Sequence, residues 1–140
     1  MELLVAQINL VFQILTLITL FASLLAKKMR KLFLHGTMML IATILSVISL
    51  TVVMLPSLLN LRGFLVDYPF SRLSIVIFAH ALLGALVEVF AFWMVITWRL
   101  RSKLQYCSRK KTMMRATFVL WLAALFFGVL TYLYLYGSSI

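Results

Sequence analysis

The chain has 140 residues, 65% of them hydrophobic and 11% charged, with a mean hydropathy of +1.14 and a formal net charge of +10. A soluble domain carries about 25% charged residues, so this composition excludes a disordered chain and an ordinary water-soluble enzyme, and a single Cys excludes a disulfide scaffold. Thirteen Lys and Arg against three acids would raise nucleic acid as a partner, unless their placement explains the charge in another way.

Four apolar runs, residues 3–26, 32–55, 73–98 and 113–136, reach the length of about 20 residues that crosses a bilayer. Span one is flanked by Glu2 and is longer than the apolar part of a signal peptide, so it is expected to stay as a membrane helix. It carries Asn9, Gln13, Thr16 and Ser23 at seam spacing. Lys27, Lys28, Arg30 and Lys31 follow it. Span two opens with His35, whose face continues through Met39, Ala42, Ser46 and Ser49. The segment from Pro56 to Arg72 is expected to be irregular and, with Leu59, Leu61, Phe64, Leu65 and Phe70, to lie against the membrane surface.

Span three holds His80, Gly84 and Glu88 at i, i+4 and i+8, on one helical face, with about 12 Å of axis between His80 and Glu88. It ends near Trp93 and Trp98, and Arg99, Arg101, Lys103, Arg109, Lys110 and Lys111 follow. Span four begins beside Arg115 and carries Thr117, Trp121, Ala124, Gly128 and Thr131, with Tyr132, Tyr134 and Tyr136 at its far end. Eleven of the 13 cations thus fall in two connections on one side, leaving Arg62 and Arg72 on the other. The positive-inside rule then predicts an all-α four-helix bundle in the cytoplasmic membrane, with both termini outside and the basic loops in the cytoplasm. The charge reports topology and contact with anionic headgroups, and nucleic acid is not expected as a partner.

Ionisable groups within a membrane are expensive, so His35, His80 and Glu88 are the candidate site residues. The His80–Gly84–Glu88 stripe could form a proton path or the wall of a cofactor pocket, Gly84 leaving room for a helix or a flat ligand. The plain alternative is a neutral His and a protonated Glu bonded to hydroxyls of neighbouring helices. His35 is a candidate ligand for haem b or copper, with Met38 or Met39 nearby; the plain alternative is an interfacial His reaching for headgroups. The two histidines are offset by about 22 Å along the axis, too far to ligate one iron together. The sequence requires no cofactor. Cys107 lies alone in a basic loop that favours its thiolate. No CxxC, HExxH, nucleophile elbow or phosphate loop is present, so no enzyme activity is expected.

Asn9, the Lys27–Lys31 turn, His35-Gly36-Thr37-Met38-Met39, Phe78-Ala79-His80, Arg109-Lys110-Lys111 and the Trp121-x6-Gly128-x3-Tyr132 pattern together resemble a small four-helix bacterial and archaeal membrane family. That family was long catalogued as a domain of unknown function, and some members are required for maturation of haem–copper terminal oxidases. Many members carry a further His at the entry of span four, where this chain has Arg109 or Lys110, and some another near the outer end of span two, where it has Leu55, Pro56 and Ser57. The resemblance implies histidines paired by depth, of which this chain keeps one from each pair.

The expected function is therefore an integral membrane maturation factor for a haem–copper oxidase, acting through helix contacts. A small accessory subunit of a membrane (respiratory) complex and a haem- or copper-binding redox protein are the alternatives, and the expected partner is a larger membrane complex or further copies of the chain in a homo-oligomer.

Overall fold

Backbone amides in hydrocarbon find no water, so an apolar run satisfies its hydrogen bonds internally as a helix. The computed structural model, which describes residues 2–100 and 111–137, shows this for all four runs. Its helices are α1 (Glu2–Lys28), α2 (Leu32–Ser49), α3 (Leu55–Asp67), α4 (Arg72–Leu100) and α5 (Lys111–Tyr136). A π-helical stretch at Leu50–Met54 joins α2 to α3. No strand occurs among the described residues. The protein is a multi-pass, all-α membrane protein.

The bundle is built from two hairpins. α1 packs along α2, and α4 along α5; α2 and α4 join the hairpins, while α1 and α5 meet lightly, with the Phe21 and Phe118 rings edge to face at 6.1 Å. The first hairpin turns sharply. Lys31 N–H bonds the Ala26 carbonyl at 2.9 Å and Arg30 N–H the Lys27 carbonyl at 3.0 Å, with Arg30 in the left-handed region at φ 61°. This is a Schellman cap, in a position that usually holds Gly.

The expectation of an irregular segment from Pro56 to Arg72 does not hold. The chain stays helical to Asp67, so the second apolar stretch runs for 36 residues, about 54 Å against a hydrocarbon thickness of about 30 Å. Pro56 sits in the first turn of α3, where its missing N–H is tolerated. The π stretch just before it re-routes carbonyls that the proline ring would otherwise strand. Irregular chain shrinks to the four residues 68–71. There Ser71 caps α4, its Oγ accepting from Ser74 N–H at 3.1 Å, while Ser74 Oγ donates to the Tyr68 carbonyl at 2.7 Å.

Polarity is arranged inside out relative to a soluble bundle. Thr16, Ser23, Thr43, Ser49, Ser74 and Thr117 are buried, whereas Leu, Ile, Val and Phe cover the exterior. Every helix of the bundle turns its small and hydroxylated stripe inward, which lets backbones approach and hydroxyls bond across. At mid-height Leu20, Ala42, Val87, Ala91 and Trp121 form an apolar cluster drawn from all four spanning helices.

Candidate functional site

That cluster separates the candidate residues into two levels. At the basic end, His35 lies in the α1–α2 hairpin and is buried, only 7% exposed. Its Nδ1 is 2.9 Å from the Ser23 carbonyl oxygen and 2.7 Å from Ser23 Oγ, and Ser23 Oγ in turn donates to the His35 carbonyl at 3.2 Å. A carbonyl only accepts, so Nδ1 carries the proton, and Nε2 keeps the lone pair. Sequence spacing left His35 either at the headgroups or as a ligand. The structure buries it, because Ser23 on the neighbouring helix draws it inward.

His35 lines a cavity of about 300 Å³, together with Met39, Met94, Met114, Phe118 and Trp121. Lys27 and Arg115 line it as well. Lys27 is thus only half exposed, whereas Lys28, Arg30, Lys31 and Lys111 are exposed as basic-loop residues should be. Arg101, Lys103, Cys107, Arg109 and Lys110 lie outside the described residues, as does the side chain of Arg99.

At the other level, His80 Nδ1 donates to the Ala124 carbonyl of α5 at 2.8 Å. Gly128, one turn further on, makes this possible. A Cβ there would stand 2.9 Å from His80 Cε1 and 2.9 Å from Gln13 Oε1. Gly84, expected to leave room for a helix or a flat ligand, does leave room. A Cβ at Gly84 would meet nothing within 4 Å, so this glycine borders open space and no helix crowds against it. Glu88, 8% exposed, accepts a hydrogen bond from Ser46 Oγ of α2. Ser49 Oγ donates to Asn9 Oδ1 in the same layer.

Two further cavities open at this level. The larger, about 420 Å³, is lined by Asn9, Gln13, His80, Gly84, Gly128 and Tyr132, and is walled by Ser57, Leu58 and Leu61 of α3. The smaller, about 40 Å³, lies between Gln13, Thr16, Ser46, Ser49, His80 and Glu88. The His35 cavity and the larger His80 cavity share no described lining residue, which agrees with the axial offset that keeps the two histidines from one ligand. No group of three or more His, Cys, Asp or Glu suited to a metal occurs among the described residues.

No protein-family model matches the chain, and no match is found among curated proteins or solved structures.

Ser23, Gln13 and Gly128 are the site residues whose part was not separable by sequence. All three belonged to stripes that read as packing, and only the partner across the helix interface distinguishes them. The Trp121-x6-Gly128 spacing was the one available signal, since it places a large ring and a gap on one face of α5.

Proposed function

We propose that the protein is a maturation factor for a haem–copper respiratory oxidase, resident in the cytoplasmic membrane with its basic turns in the cytoplasm and both termini outside. It works by contacts between its helices and those of the oxidase. The observation that carries this is how the polar groups are used. Ser23 with His35, Asn9 with Ser49, Ser46 with Glu88 and His80 with the Ala124 carbonyl each join two helices of the bundle. The outward surface is left to residues such as Val11, Ile18, Val89, Phe92 and Phe126. A large apolar surface of this kind suits helix packing within a membrane, where association depends on van der Waals fit. The motif resemblance supplies the oxidase as partner. Deleting the gene in its own host should leave oxidase polypeptide present but inactive, with activity regained on re-expression. Normal oxidase activity in the deletion strain would end this proposal.

A second role is favoured by the His35 cavity. Histidines that ligate metals usually donate their other ring nitrogen to a carbonyl or carboxylate, as His35 does to Ser23. One imidazole and three thioethers would supply ligands to Cu(I) or to haem iron, and Lys27 and Arg115 would pair with acidic substituents of a bound group. The residues fit a cofactor cargo of either kind. Purified protein mixed with haemin or with Cu(I) should gain bound metal and, for haem, a Soret band, and His35→Ala should lose both.

A further inference from the structure

Glu88 and Gln13 face one small space between the two hairpins. In the 40 Å³ cavity, each hydroxyl hydrogen is already committed to an acceptor. Thr16 Oγ1 donates to the Phe12 carbonyl at 2.8 Å, Ser49 Oγ to Asn9 Oδ1, and Ser46 Oγ to Glu88 Oε1. His80, which also lines it, directs its Nδ1 hydrogen to the Ala124 carbonyl. Two oxygens are left buried without a hydrogen-bond partner: Gln13 Oε1 and Glu88 Oε2, on side chains each 8% exposed. A buried acceptor left unmatched is costly, and what relieves it is a donor. One hydrogen on Glu88 Oε2 removes the charge and turns one acceptor into a donor. A water molecule occupies about 30 Å³, so the cavity holds one and can bridge the remaining oxygen.

The cavities also provide a supply route. Gln13, His80 and Gly84 line both this cavity and the 420 Å³ cavity towards α3, and Gly84 places no side chain between them. On the other side Trp121 separates it from the His35 cavity. We propose that Glu88 is an exchangeable proton-binding site at mid-membrane, reached through water from the α3 side past Gly84. Loading transfers a proton from hydronium to Glu88 Oε2, forming the O–H bond and leaving water. His80 is the only other titratable group lining the cavity among the described residues; α1 contributes Gln13 and Thr16, α2 Ser46 and Ser49, and α5 Trp121 and Ala124. Because Ser46 and Glu88 belong to different hairpins, the proton acts on the contact that joins them.

The chain has three acids, which makes this directly measurable: Glu2 precedes the first apolar run, Asp67 is exposed at the end of α3, and Glu88 is buried. Infrared spectra of the purified full chain in nanodiscs at neutral pH should show a protonated carboxyl stretch. Isotope-labelled glutamate should move that band, whatever the fate of any variant, and Glu88→Gln should abolish it. On transfer to deuterated water the band should shift promptly, and Gly84→Leu, which fills the passage, should slow that shift while keeping the band. Absence of the band at neutral pH overturns the proposal. So does a band whose deuterium shift is as slow in the natural chain as in Gly84→Leu, which would mean a dry carboxyl.

Discussion

Gly128 on α5 and His80 on α4 form one fitted pair: the imidazole occupies the volume where a Cβ of residue 128 would be, 2.9 Å from His80 Cε1. The same ring is held by its bond to the Ala124 carbonyl, so it cannot retreat without breaking that bond. Gly128→Ala should therefore destabilise the bundle by about 1–3 kcal/mol, the usual cost of overpacking. Gly84→Ala, entering open space, should leave stability unchanged. Unfolding of both variants in detergent, followed by circular dichroism, makes the comparison.

At the first turn, Arg30 holds a left-handed conformation that non-glycine residues adopt at a cost of roughly 1–2 kcal/mol. The structure gives it a basic side chain where the cap asks for a glycine. Arg30→Gly should raise the unfolding midpoint, by a few tenths to about 1 kcal/mol in stability. A lowered midpoint would mean that the guanidinium has a structural partner of its own.

Ser46 and Glu88 are the polar link between the hairpins. Measured couplings of this type within membranes average about 0.6 kcal/mol and reach about 1.7. A double-mutant cycle with Ser46→Ala and Glu88→Ala, which removes donor and acceptor in turn, should fall at the upper end, because the acceptor is a buried carboxyl. Asn9→Ala with Ser49→Ala, within the first hairpin, gives a neutral reference pair for the same measurement.

Topology can be read with single cysteines on a Cys107→Ser background. Met29→Cys and Ser71→Cys lie at opposite ends of the first two spans, Met29 being exposed beside the basic turn. A membrane-impermeant maleimide added to intact cells should label Ser71→Cys at once, and Met29→Cys only after permeabilisation. The reverse pattern would place the basic turns outside.

How far these relationships could be read from sequence follows from the range over which each acts. Span number depends on local composition, so hydropathy was sufficient for it. The inward stripes Gln13–Thr16–Ser23 and Thr117–Trp121–Ala124–Gly128 were legible too, since a helix fixes which residues share a face. α3 was not, because Pro56 and Gly63 are turn signals in isolation, and only position decides that Pro56 sits in a first helical turn. His35 and Ser23 stand 12 residues apart on antiparallel helices, and that register is set by the Arg30 turn. The two glycines were alike in sequence and opposite in structure, as only the neighbouring helix shows which of them is filled.

The division into hairpins also orders the events of synthesis. When α1 and α2 have entered the bilayer, Ser23 with His35 and Asn9 with Ser49 can already be joined, all four residues being present. Glu88 follows some forty residues after Ser46, and its hydroxyl donor is then waiting in the membrane. The costliest side chain of the chain is thus inserted last among its partners on the first hairpin.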